Sequence, residues 1–311
     1  MFLIYELKGH TKTIIEFIVL RICGFLASKL PIGFVMVLGD TIGYMCSSIF
    51  RLRRPEVEKH LVLAFPDRSF EWRERVSLES YRHFGREGLV FLRCSGAAKY
   101  GFQKDVEISG LEVLGESLRK GSGVMLISGH LGNWEVGAIS LAAKGIPIDV
   151  VMQDQRNPLV DSYLAKLRSD AGVGVIHTSQ GAYSVLESLR NGRVVAWLGD
   201  QNPVGNSTML DFLGVPSRVA KESAILTLRA GATYFFASSL VVPGVPKKYK
   251  VELKKIAIPR RQSRTKITEQ LTEESTRLLE AAIRSNPDQY LWHHRRWKNG
   301  VEWLRKEGYS C

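Results

Sequence analysis

What most constrains the fold of this chain is a series of short apolar runs that alternate with helical patterns along its last two thirds. Runs at 124–127, 148–152, 173–176, 194–198, 234–242 and 249–256 have the length of strands. Segments at 133–144, 159–171, 180–190, 218–231 and 267–285 have helical spacing. Strands this apolar need cover on both faces, and helices placed between them supply it. The expected fold is therefore α/β, with a central, largely parallel or mixed sheet flanked by helices. The basic stretch at 243–250 reads as a turn between neighbouring strands, not as a linker.

The N-terminal part is different. Residues 14 to 50 are strongly apolar, yet Glu16, Arg21, Lys29 and Asp40 interrupt them, leaving 30–39 and 41–50 as the longest uncharged runs. Both fall short of the roughly 18 residues of a clear spanning helix. Ile14, Ile18, Val19, Ile22, Phe25 and Leu26 recur at helical spacing, and Pro31 breaks the pattern, so one helix is expected before it and another after. Two placements follow: helices in or dipping into a membrane interface, with the cluster Arg51, Arg53 and Arg54 at the headgroups, or a hairpin buried in a soluble core. The first divides the chain into a membrane-associating segment, 1–54, and a main domain, 55–311. Residues 66–99 read as helical, with Ser69 as a cap; for Glu87, polar in an apolar stretch, a surface or salt-bridged carboxylate is favoured over one that reaches a functional site.

A net charge of +12 calls for an anionic partner or a solvated basic surface. No docking or stacking motif for nucleic acid is present, which leaves an anionic bilayer, an acidic carrier protein or a phosphorylated lipid. Besides the Arg51 cluster, the charge gathers at 247–255, at 260–266, and at Arg295, Arg296 and Lys298. Cys23, Cys46, Cys94 and Cys311 form no paired motif and read as reduced thiols of a cytoplasmic protein. No secretory signal pattern is evident.

The chemistry concentrates in residues 123–135, where an apolar strand breaks at Gly129 and presents His130, Gly132, Asn133, Trp134 and Glu135 at the start of a helix. On one regular helix, five positions would separate His130 from Glu135 by roughly 140°, so the histidine belongs in the turn. From there the imidazole can fold back toward Glu135, whose carboxylate would fix its tautomer and favour its charged form. A base so oriented can deprotonate a hydroxyl. Asp200 and Gln201 follow the strand at 194–198 and reach the same sheet edge, and His177 follows a strand of its own. Asn133 reads as support for the turn and Trp134 as packing.

These residues resemble the lipid A biosynthesis (late) acyltransferase family, within the wider glycerolipid acyltransferase-like group. Further blocks match in order: Leu63-Ala-Phe-Pro66, Asn157-Pro-Leu-Val-Asp161, Gly199-Asp-Gln201, Phe212-Leu-Gly-Val-Pro216 and the aromatic, basic block at 290–298. There are departures. Gln153 stands where family members often carry an arginine, with Arg156 three residues later. Val219 and Ala220 replace a common Thr-Pro pair, and His60 an asparagine.

The resemblance implies transfer of a fatty acyl chain from a thioester, carried by acyl carrier protein or coenzyme A, to a hydroxyl of a glycolipid such as a lipid A precursor. An alternative acceptor is another glycolipid or a phospholipid. His130 would be the base and Glu135 its orienting acid. Asn133, Gln153, Arg156, Asp200, Gln201, Arg295 and Arg296 would bind substrate, and no metal or other cofactor would be required. Backbone N–H groups near Gly132, or the side chains of Arg156 and Gln153, would stabilise the oxyanion. The implied location is the cytoplasmic face of a bacterial inner membrane, as a monotopic protein or on one N-terminal anchor. Two other readings explain less. A metal-dependent hydrolase lacks a His-Glu-x-x-His or paired-cysteine motif, and a non-catalytic membrane-binding module leaves the polar strand ends without a purpose.

Overall fold

Among the described residues, seven strands form the central sheet in the order β1-β9-β8-β2-β5-β3-β4. The computed structural model describes residues 2–94, 105–203, 205–245 and 248–297. Lys247, Lys298, Cys311 and the end of the 66–99 stretch lie outside them. Strands β2 (Val124–Ser128), β3 (Ile148–Met152), β4 (Gly174–His177), β5 (Val194–Leu198) and β8 (Thr233–Val241) run parallel, as the alternation with helices requires. Strand β9 (Tyr249–Ile256) pairs antiparallel with β8, and β1 (Val106–Ser109) joins β9, so the sheet is mixed at that edge.

The period-2 alternation of strand side chains sends residues to two separate cores. Met125, Ile127, Val195, Tyr234 and Phe236 pack against α8 (Gly181–Arg190), α9 (Glu222–Ala230) and α10 (Arg264–Ser285). Val124, Leu126, Val194, Phe235 and Leu253 pack on the other face with residues of α4 (Phe70–Arg93), α5 (Leu111–Arg119), α6 (Trp134–Ala143) and α7 (Pro158–Asp170). Burial on both faces explains why these strands lack polar alternation.

The expected helix at 218–231 is corrected at its start. Residues 218–220 belong to β7 (Val215–Ala220), which pairs antiparallel with β6 (Ser207–Phe212) in a small separate sheet. Leu213 and Gly214, with φ of 56° and 85°, close this hairpin as a two-residue loop between Phe212 and Val215. Positive φ at both loop positions matches the right-handed twist of the strands, and Pro216 disfavours a helix through the segment.

Near the N-terminus, α1 (Phe2–Lys29) and α2 (Ile32–Tyr44) form on either side of Pro31, as expected, and a π-helical turn at Met45–Ile49 prolongs α2. Arg54 opens α3 (Arg54–Ala64). Helix α4 is continuous, its first turn capped by the Ser69 hydroxyl, which accepts from the Trp72 N–H at 3.3 Å. Glu87 on this helix departs from the sequence reading. It is buried, accepting from Asn133 Nδ2 at 2.7 Å and the Tyr249 hydroxyl at 2.8 Å, and burial pushes its carboxyl pKa up.

Candidate active site

The parallel strands end on one side of the molecule, and the polar residues that follow them meet there. Ser128 of β2 pairs with Leu198 of β5, so His130 and Asp200, each two positions beyond its partner, leave adjacent strands side by side. Open α/β sheets bind ligands at such strand ends. The turn holding His130 needs glycine at 132. Its φ is 65°, and a Cβ there would sit 1.9 Å from the Ser239 carbonyl oxygen. Asn133 then caps α6, its side-chain oxygen accepting from the Val136 N–H at 3.0 Å.

Asp200 grips His130 with both oxygens. Oδ1 lies 2.7 Å from Nδ1, and Oδ2 accepts the backbone N–H of the same residue at 2.9 Å. An ionised carboxylate only accepts, so the ring proton sits on Nδ1 and Nε2 keeps its lone pair. Nε2 lies 3.3 Å from the Gln201 side-chain nitrogen, and the ring packs edge-on against Trp134 at 4.9 Å. Burial pulls the imidazole pKa down, but the charge and hydrogen bond of Asp200, with help from Glu135, outweigh it and the net direction is up. Burial likewise pushes the Asp200 carboxyl up, while the charge of His130 and the hydrogen bonds from it hold the group at about 2.

Beside this pair opens a cavity of about 810 Å³ that runs between α6 and the sheet. His130, Gln201 and Gln153 stand along its wall, while Leu126, Ala138, Leu141, Ala196, Ala237 and Leu253 give it an apolar interior. Among the described lining residues Arg168 is the one cation. It grips Glu135 in a two-pronged contact, Nη2 to Oε1 at 2.5 Å and Nε to Oε2 at 3.0 Å, with both side chains 11% exposed.

The geometry sets a carboxylate-bound imidazole at the wall of a chamber with an apolar interior, and comparison with known proteins supplies the family. The model of the bacterial lipid A biosynthesis acyltransferases matches residues 6–299. The chain belongs to that family. It is 31% identical over 162 residues to a phosphatidylinositol mannoside acyltransferase of Mycobacterium tuberculosis (strain CDC 1551 / Oshkosh), covering 50% of this chain and 51% of that one. The match thus spans about half the length of that mycobacterial relative. Two relatives from Escherichia coli (strain K12) match more extensively. The lipid A biosynthesis palmitoleoyltransferase is 23% identical over 276 residues, 87% of each chain. The lauroyltransferase is 24% identical over 294 residues, 89% of this chain and 90% of its own.

In this lipid A acyltransferase family member, the His130 and Glu135 pairing expected from sequence is replaced. The carboxylate that orients His130 is Asp200, whereas Glu135 is held by Arg168 and by Trp134 Nε1 at 3.2 Å. The turn at 129–132 faces His130 toward the end of β5, and the first turn of α6 faces Glu135 toward α7. The proposed backbone oxyanion donors near Gly132 are also engaged. The N–H groups of Leu131, Gly132 and Asn133 donate to the carbonyls of Gly129, Gln289 and Ser239 at 2.8, 2.9 and 2.7 Å.

The other candidates divide. Gln153 and Gln201 line the cavity, but Arg156 is exposed and absent from its lining. Asn133 is buried as a cap, not set at the cavity. Arg295 is on the surface with Glu56 at 3.4 Å. Arg296 is 4% exposed and braces the turn after β5 by donating to the carbonyls of Gln201 at 3.3 Å and Arg218 at 2.7 Å. His177 sits 3.3 Å from Asp154 and 3.7 Å from Asp161 rather than in the cavity. Sequence reasoning missed Arg168, which on a helix pattern is one more basic residue in a last turn.

Proposed function

We propose that this protein transfers a fatty acyl chain from an acyl thioester to a hydroxyl of a glycolipid, with a lipid A precursor as acceptor. The observation that carries the reading is the imidazole of His130, oriented through Nδ1 by Asp200, with Nε2 at the wall of a chamber whose interior suits an acyl chain. The alcohol gives its proton to Nε2 as its oxygen attacks the thioester carbonyl. The tetrahedral intermediate collapses with cleavage of the C–S bond, and the imidazolium returns the proton to the departing thiolate. An ester and a free thiol result. Asp200 stabilises the imidazolium without accepting its proton, consistent with a carboxyl held at about 2.

The side chains of Gln201 and Gln153 are neutral donors on the cavity wall that serve the oxyanion in this reading, and the Arg168 and Glu135 pair supports the chamber from α7. The donor is acyl carrier protein or coenzyme A. The exposed apolar residues of α1 and α2 favour a place on the membrane that supplies the acceptor, at the cytoplasmic face.

Mass spectrometry of total lipids from cells with and without the protein tests the proposal. A glycolipid heavier by one acyl chain is expected with the wild type and absent with His130→Ala. Identical lipid profiles in all three strains would end it.

A further inference from the structure

We infer that the apolar segment at 32–49 lies in the plane of one membrane leaflet and does not cross the bilayer. By length and composition it qualifies as a span, and it is the one candidate among the described residues. Its packing argues otherwise. Helix α2 is pressed backbone to backbone on α4: a Cβ added to Gly39 would come 2.5 Å from Arg86 Cα, one on Gly43 2.4 Å from the Tyr81 carbonyl oxygen, and one on Gly85 2.1 Å from the Gly39 carbonyl oxygen. At the middle of the segment Asp40 pairs with Arg86 of α4.

Helix α4 in turn belongs to the catalytic body. Ser80 donates to the Tyr290 carbonyl at 2.8 Å, His83 Nε2 lies 3.1 Å from the Gly132 carbonyl, and Glu87 holds the Asn133 cap. A crossing helix would therefore have to do one of two things. It would carry α4 into hydrocarbon with Arg82 and Arg86, or it would peel from α4 and leave Asp40 without its cation at the bilayer centre. Both place charge where lipid cannot solvate it.

The outward side fits one leaflet. Phe34 and Val37 are 67% and 66% exposed, Ile49 and Phe50 continue the apolar surface past α2, and Phe25 precedes it on α1. Exposed Lys29 and Arg51 stand at the two ends of the segment with no ion-pair partner among the described residues. Apolar side chains bordered by free cations match the interface of an anionic leaflet, with acyl chains beneath and phosphates at the rim.

This inference rests on the membrane location proposed above, and two measurements on the full chain separate them. A membrane-impermeant lysine reagent is applied to intact spheroplasts and to inverted inner-membrane vesicles, and modification of Lys29 and Lys59, which flank the segment, is read by mass spectrometry. Both residues are expected to react in inverted vesicles and neither in spheroplasts. Reaction from opposite faces would overturn the in-plane placement while leaving membrane location intact.

In flotation with vesicles containing phosphatidylglycerol, the double variant Phe34→Ser and Val37→Ser is expected to bind at least about tenfold more weakly, because two large apolar side chains no longer enter the leaflet. Its transfer to detergent-dispersed acceptor should match wild type. Unchanged binding, or a dimer formed through this face in place of vesicle binding, would overturn the inference. Wild-type protein that ignores vesicles altogether would remove the membrane location as well.

Discussion

Replacing Asp200 with asparagine isolates the orienting carboxylate at almost constant shape. The carboxyl is held at about 2 against an ordinary 3.8, which corresponds to about 2 kcal/mol favouring the ionised pair. The imidazolium that forms in the transition state enjoys the same attraction, so losing it slows the reaction about 30-fold. A second loss comes from the tautomer. An amide nitrogen turned toward Nδ1 forces that atom to accept and puts the ring proton on Nε2, which can no longer take a proton from the alcohol. Together the two losses predict a fall of ~10²–10³ in kcat/KM, from the ion-pair and tautomer terms combined.

The assay is release of thiol from an acyl thioester in the presence of glycolipid acceptor, measured as a function of pH. Because the His130 pKa is raised, the free base of the wild type is lost as pH falls through a value above the ordinary 6.5. In Asp200→Asn the carboxylate charge is gone and burial dominates, so the limb moves to lower pH. A folded variant with wild-type rate and an unmoved acidic limb would refute the orientation argument.

Four further outcomes are expected. His130→Ala should lower turnover by ~10²–10⁴ and also lower the melting temperature, since it removes the base and leaves the buried Asp200 without its partner, while far-UV circular dichroism stays that of the folded protein. Glu135→Gln strips the buried Arg168 of its charge partner and should cost about 3–5 kcal/mol in urea unfolding, much of it recovered when Arg168→Met is added. Ala138→Phe, which fills the chamber, should abolish transfer of long acyl chains while sparing short ones, as competition between donors of different length will show. Stability should also follow pH. The contribution of Asp200 is present above 3.8 and is lost as pH falls through about 2, and that of His130 is full below 6.5 and is lost as pH rises through its raised value. Urea melts of wild type and Asp200→Asn across this range will show the difference.

Much of the fold was legible because its signals are local. The strand at 124–127, the break at Gly129 and the turn that Asn133 was expected to support each follow from residues a few positions apart, and together they put His130 in a turn. The hairpin at 207–220 was not read, because the helical pattern beginning at 218 masked the turn made by Leu213 and Gly214. At the site, Asp200 and Gln201 were placed at the correct sheet edge, but the carboxylate partner was assigned to the acid nearest in sequence. Arg156 was singled out because it follows Gln153 by three residues, and Arg168 was not singled out at all.

The sequence by itself determined the alternation of strands and helices between residues 124 and 198, the turn that holds His130 and the apolar character of the N-terminal helices, since periodicity and glycine conformation act over a few residues. Tertiary structure alone decided which acid serves which base. The pairing of β2 with β5 brings Asp200 to His130 across 70 positions, and the docking of α7 brings Arg168 to Glu135 across 33. Strand order is a non-local outcome of packing two cores against one sheet, and no short segment of the chain carries it.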